Sequence, residues 1–246
     1  MVRHIYLLLL VSVTALGFSP SAWAREEEGF GVGWLWIPVV IGLVWFMNHM
    51  YERHRSSELR NVARHMGFQF LGNTPSSILR SNFKLAGEKG KIGNLLRGVR
   101  DNVEIEVFSY EVSAGENTTT TTIVAFRSAS LELPRFELYP KGTFGMVATA
   151  FGALVVDFAW RPGFSDQFVL KGDKDRVGDK DRIRTVFTKE VMDFLSARPK
   201  VSAGGNDQSL IYFVNGYRAN PGDLESFVDE GLGLVRLFAK KTHHGN

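Results

Sequence analysis

Residues Leu95–Val112 read LLRGVRDNVEIEVFSYEV, and their period is two. Val103, Ile105 and Val107 fall on one side of an extended chain, and Glu104, Glu106, Phe108 and Tyr110 on the other. Asp101-Asn102 interrupts the alternation with two residues that tolerate the left-handed backbone of a tight turn, so Leu95–Arg100 and Val103–Val112 form a predicted β-hairpin. Thr118–Arg127 (TTTTTIVAFR) continues it, because β-branched residues suit a pleated surface. Phe136–Tyr139 lies between Pro134 and Pro140 as a further strand, and the runs together predict an antiparallel meander.

Helical signals surround this sheet. In Tyr51–Met66 the apolar residues Leu59, Val62, Ala63 and Met66 recur on one face, so this helix is expected to pack on the domain. Gly67–Leu71 reads as a short strand, and Ser76 is placed to cap a brief helix through Arg80. Thr143–Leu154 is apolar but too short to cross a bilayer, and reads as a buried or surface helix. Phe158–Trp160 and Gln167–Leu170 read as short strands. Thr188 caps a helix ending before Pro199. Val201–Ala203 and Leu210–Val214 pair around Gly204–Asp207, and a last amphipathic helix opens at Asn220-Pro221. The class is α+β, an antiparallel sheet of hairpins packed with a few helices and preceded by one transmembrane helix.

That transmembrane helix is Gly29–Asn48, GFGVGWLWIPVVIGLVWFMN, a stretch without a charge. At about 1.5 Å per residue it matches the roughly 30 Å hydrocarbon core of a bilayer. Trp34, Trp36 and Trp45 stand toward its ends, where indoles favour the head-group level. Glu26, Glu27 and Glu28 precede it, while Arg53, Arg55, Arg60 and Arg64 follow, and this asymmetry places the C-terminal side in the cytoplasm. Residues 1–24 have the grammar of a signal peptide: Arg3, an apolar run from Ile5 to Phe18, and Ala22-Trp23-Ala24 as a cleavage site. An uncleaved first membrane helix gives the same topology. The expected organisation is a signal peptide at 1–24, a transmembrane helix at 29–50, a juxtamembrane helix at 51–66 and a cytoplasmic α+β domain at 67–242. The expected location is the inner (plasma) membrane, with a single pass after cleavage.

Composition excludes several chemistries. The 246 residues contain no cysteine, which removes disulfides, thiolate metal sites and cysteine nucleophiles. The six histidines are His4, His49, His54, His65, His243 and His244, so none lies between Gly67 and Thr242. A Ser-His-Asp triad and a histidine zinc site are therefore unsupported in the domain. The net charge of +3 is spread among acids rather than gathered in a stripe, and no nucleic-acid partner is expected. The juxtamembrane arginines suit anionic lipid instead. Asp173, Asp175 and Gly178 match three positions of a calcium loop, but Val177 and Arg184 occupy ligand positions, and a solvated turn leading into a helix is the better reading. Gly87, Gly90 and Gly93 with nearby lysines read as a mobile hairpin loop. Glu104 and Glu106 remain as candidate carboxylates on a strand, read as ordinary exposed glutamates. No catalytic, cofactor-binding or metal residue is assigned, and no cofactor is expected.

Leu96-Arg97-Gly98, Val107–Tyr110, the threonine strand and Leu133–Pro140 occur in an order that resembles a family of uncharacterised bacterial membrane-anchored proteins with no assigned activity. Phe168–Gly172, Val186–Thr188 and the closing helix at Pro221 extend the resemblance over roughly residues 57–240. It implies the domain boundary but no catalytic residues. The expected function is a non-enzymatic, membrane-tethered cytoplasmic domain that binds a protein partner or senses a signal beside the lipid bilayer. The alternative is a carboxylate- or serine-dependent enzyme.

Overall fold

The computed structural model describes residues 36–83, 90–114, 117–143, 153–173 and 178–239. The chain divides into two compact units, with the boundary between Tyr51 and Glu52. In the first unit, helix α1 (Trp36–His65) begins, and Ile37, Ile41, Leu43, Trp45, Phe46 and Met47 are each more than half exposed. Among the described residues no helix is long and apolar enough to cross a membrane. The expected span starts at Gly29, so its first seven residues, and the signal segment, lie outside the described residues.

The second unit begins at Glu52 and is α+β. The strands are β1 (Gln69–Gly72), β2 (Lys91–Arg100), β3 (Val103–Ala114), β4 (Asn117–Arg127), β5 (Leu133–Pro140), β6 (Ala153–Val155), β7 (Phe168–Asp173), β8 (Val201–Asp207) and β9 (Ser209–Val214). They form one nine-stranded sheet in the order β1-β2-β3-β4-β9-β8-β5-β7-β6, with every pairing antiparallel. The helices are α2 (Ser77–Asn82), α3 (Pro162–Gln167), α4 (Asp179–Val186), α5 (Lys189–Ser196) and, after a 3-10 turn at Pro221–Asp223, α6 (Leu224–Ala239).

The hairpin at Asp101-Asn102 forms as its residues require: both adopt positive φ, 52° and 62°, and Arg100 pairs with Val103. Alternation then assigns the two faces of β3. Val103, Ile105 and Val107 join the larger core with Leu59 and Ala63 of α1, with Met66 just beyond it, and with Phe227, Val228, Leu232 and Val235 of α6. Phe108 and Tyr110 face the other way, into a smaller core with Ile78, Leu79 and Phe83 around α2. Phe136, Phe158, Phe187 and Phe238 gather in the larger core, with Phe136 and Phe187 edge-to-face at 5.0 Å.

The expected meander holds through β2-β3-β4 and breaks after β4. After Arg127 the chain passes the tip of the β8–β9 hairpin, where the Ser128 amide donates to the Gln208 carbonyl at 2.9 Å. It enters the sheet on the far side, pairing Leu133 with Asp207 and Leu138 with Ala203, so β9 and β8 stand between β4 and β5. Leu131 and Leu133, both buried, anchor this crossing. Four further expectations change. Strand β2 begins at Lys91 rather than Leu95, leaving residues 84–89 of the glycine-rich loop outside the description. Ala153-Leu154 is strand, and the rest of the anticipated helix after Thr143 lies outside the described residues. Phe158–Trp160 is a turn, held by Arg161 N donating to the Phe158 carbonyl at 3.0 Å. Gly204 and Gly205 are strand rather than turn.

Of these two glycines, Gly205 is sterically required and Gly204 is tightly packed. A Cβ on Gly205 would stand 2.2 Å from the Phe136 ring, and one on Gly204 would stand 3.1 Å from Ile211. Gly205→Ala should therefore lower stability by about 2 kcal/mol through overpacking. Gly163→Ala in α3, where a Cβ would meet nothing within 4 Å, should be neutral or stabilising by about 0.5 kcal/mol. Urea unfolding of the two variants checks the contrast.

Candidate functional site

Glu106, read from sequence as exposed, is fully buried. It stands opposite Arg97 in the β2–β3 register, and the guanidinium donates to its Oε1 from Nε at 2.8 Å and from Nη2 at 2.5 Å. The first turn of α2 supplies the remaining donors. Ser76 Oγ lies 2.5 Å from Oε2 and Ser77 Oγ 2.9 Å from Oε1, while the Ser77 and Ile78 amides approach at 3.3 and 3.2 Å. Ser76 Oγ also accepts from the Leu79 amide at 3.0 Å, so one hydroxyl caps the helix and ties it to the sheet. Burial pushes the Glu106 carboxyl up. The hydrogen bonds from Ser76, Arg97, Ser77 and the Ile78 amide outweigh burial and hold its pKa below the ordinary 4.5.

This cluster is poorly suited to catalysis. A general base needs a free lone pair and a pKa near the working pH, whereas both oxygens of Glu106 are occupied and its pKa is depressed. Ser76 is itself buried, with its hydroxyl committed twice. Glu104 sits on the same strand face but is partly exposed, pairing with Arg127 at 3.3 Å and Arg97 at 3.9 Å. His54 and His65 are both exposed and do not meet; His54 lies 3.5 Å from Glu58. Among the described residues no group of three or more His, Asp or Glu is placed to hold a metal. Residues 174–177 of the calcium-like segment lie outside the described residues, and Arg184 belongs to α4, 3.8 Å from Asp181.

The second constellation joins the domain end of α1 to the sheet. Glu52 receives a bidentate pair from Arg218, Nη1 to Oε1 at 2.9 Å and Nη2 to Oε2 at 2.7 Å. One turn on, Arg55 is only 5 % exposed and donates from Nη2 to the Ala219 carbonyl at 2.7 Å. Ser56 Oγ donates to Asn94 Oδ1 at 3.0 Å. The loop at 215–220 that receives Glu52 and Arg55 is itself held by the threonine strand. Thr121 Oγ1 accepts from the Gly216 amide and Thr122 Oγ1 from the Ala219 amide, each at 3.0 Å, and the Thr122 amide donates to the Tyr217 carbonyl at 2.8 Å. Strand β9 pairs with β4 only from Ile123 to Arg127, so the loop replaces it as partner for Thr121 and Thr122.

Beside this junction lies a cleft of about 450 Å³. Its walls carry two carboxylates, Glu52 and Glu111, and two cations, Lys91 and Arg218, together with the amides of Asn73 and Asn94. Sequence reading missed it because Glu52 on α1 and Arg218 in the 215–220 loop lie far along the chain from the β2-β3-β4 strands that complete it. The clue available was the run of five threonines, whose last two are buried hydroxyls rather than a solvent-facing ladder.

No protein-family model matches the chain, and no curated protein matches it. Among solved structures, the crystal structure of the mycobacterial trehalose monomycolate transport factor A, TtfA, is similar, with a TM-score of 0.54 at 14 % identity. The match covers 76 % of this chain and 94 % of that one. At this identity the likeness shows the fold alone.

Glu106→Gln should cost about 2 kcal/mol at neutral pH, because it removes the charge from a buried, multiply bonded site. The folded pKa is the depressed one, so the wild-type contribution is complete above 4.5 and is lost as pH falls below it. Urea midpoints measured on both sides of 4.5 should fall more steeply for wild type than for the variant. At the junction, Arg55→Met leaves the Ala219 carbonyl without its donor and should cost about 2 kcal/mol. Arg218→Ala, breaking a half-exposed pair, should cost under about 1 kcal/mol by the same measurement.

Proposed function

We propose that this chain is a membrane-tethered, non-enzymatic domain that docks a protein partner, or senses a signal, at the cytoplasmic face of the inner membrane. The observation that carries this reading is helix α1. One unbroken helix exposes large apolar side chains from Ile37 to Met50, then buries Arg55, Leu59 and Ala63. An apolar surface of this kind is unfavourable in water and favourable in a bilayer or against another apolar helix. The change of character along a single helix supports a tether that runs directly into the domain. The asymmetry of glutamates before and arginines after the span supports an outside-to-inside passage.

The saturated Glu106 cluster argues against the carboxylate- or serine-dependent enzyme. The fold shared with the transport factor TtfA favours an accessory role beside a transport system. The resemblance to membrane-anchored bacterial proteins favours the same assignment.

The absence of native cysteine makes the topology directly testable. In intact cells, a membrane-impermeant maleimide should label Glu27→Cys and spare Asp101→Cys until the membrane is opened. Labelling of Asp101→Cys in intact cells would overturn the cytoplasmic assignment. Turnover of a metabolite by the purified full-length chain, without any partner, would overturn the non-enzymatic one.

A further inference from the structure

We propose that the cleft beside Glu52 and Arg218 receives the head group of a zwitterionic lipid, its ammonium against the carboxylates and its phosphodiester against the cations. This rests on the tethered reading of α1. Three observations lead to it. The first is charge: two carboxylates and two cations line the cleft, so its formal charge is zero. A purely anionic group would be attracted by Lys91 and Arg218 and repelled by Glu52 and Glu111, with little net gain. A group carrying both signs gains from both pairs.

The second is construction. Strand β2 breaks register between Gly93 and Leu96, and Asn94 takes a φ of 53°, the mark of a bulge that turns a sheet edge outward. Ser56 on α1 holds the Asn94 amide oxygen. Lys91 stands opposite Glu111 across the β2–β3 ladder, which sets one cation and one carboxylate side by side on the cleft floor. Arg218 gives one N–H of Nη1 and one of Nη2 to Glu52. Each of those nitrogens carries a second N–H, and an oxyanion is the acceptor that suits a guanidinium best.

The third is position along the helix. Glu52 follows Tyr51, the last of the exposed apolar residues of α1, with no break in the helix. If that run occupies the hydrocarbon layer, the next turn stands at the level of the head groups. A soluble zwitterion would have no reason to meet a site placed there, so the lipid is the favoured source.

The test uses the full-length chain in detergent micelles, titrated calorimetrically with soluble glycerophosphoethanolamine, glycerophosphoglycerol and taurine. Glycerophosphoethanolamine should bind about tenfold more tightly than glycerophosphoglycerol, a phosphodiester without the ammonium, the ratio expected for one added charge-assisted contact. Glu111→Gln should remove that preference, and Lys91→Met should weaken both phosphodiesters. Neither residue belongs to the two cores, so a folding failure of one variant leaves the other informative. Equal binding of glycerophosphoglycerol in wild type, or no binding of glycerophosphoethanolamine, overturns the proposal. Taurine binding as tightly as glycerophosphoethanolamine overturns the lipid as source. Membrane insertion without head-group binding removes the cleft assignment alone; head-group binding by a chain that fails to insert removes the tether and leaves the cleft as a zwitterion site.

Discussion

Arg55 is a charged side chain taken out of water where helix α1 enters the domain, and much of the domain's arrangement follows from how that is made tolerable. An isolated guanidinium buried to 5 % exposure is strongly unfavourable, so it needs a fixed acceptor. The Ala219 carbonyl is that acceptor, and a carbonyl in a loop is reliable only if the loop is held. Thr121 and Thr122 hold it from the sheet, and Arg218 of the same loop returns to Glu52 on the helix. Helix, loop and strand therefore constrain one another. The apolar face of Leu59, Ala63 and Met66 can then seat on the core in a single register.

Glu106 obeys the same logic on the opposite face of the sheet. A six-residue helix has too few internal hydrogen bonds to be stable alone. It persists because a strand carboxylate accepts from its first amides and two hydroxyls while Arg97 balances the charge. Arg55 and Glu106 thus act as struts. Glu52, Lys91, Glu111 and Arg218 instead meet around a cleft whose formal charge is zero.

The local parts were legible from the chain because they depend on local physics. Asp101-Asn102 turns because those residues accept positive φ, Ser76 and Thr188 cap because a hydroxyl reaches the amide three residues on, and the faces of β3 follow from strict alternation. The expectation of a continuous meander failed for a non-local reason. Whether the chain after Arg127 turns back or travels on is decided by the β8–β9 hairpin, far along the chain, whose tip accepts from Ser128. Gly204 and Gly205 misled in the same way: glycines that look like a turn are strand residues, and the absent Cβ of Gly205 leaves room for the Phe136 ring.

By itself, then, the sequence determined the α+β class, the hairpin at 101–102, the amphipathic faces of α1 and α6, and a charge-free run whose flanks differ in sign, because period, turn chemistry and charge are properties of neighbouring residues. Only the tertiary structure decided the strand order, the burial of Glu106, and the meeting of Glu52, Lys91, Glu111 and Arg218 around one cleft. Those depend on which distant segments share a surface. A glutamate on a strand reads the same in sequence whether water or a helix N-terminus will stand in front of it.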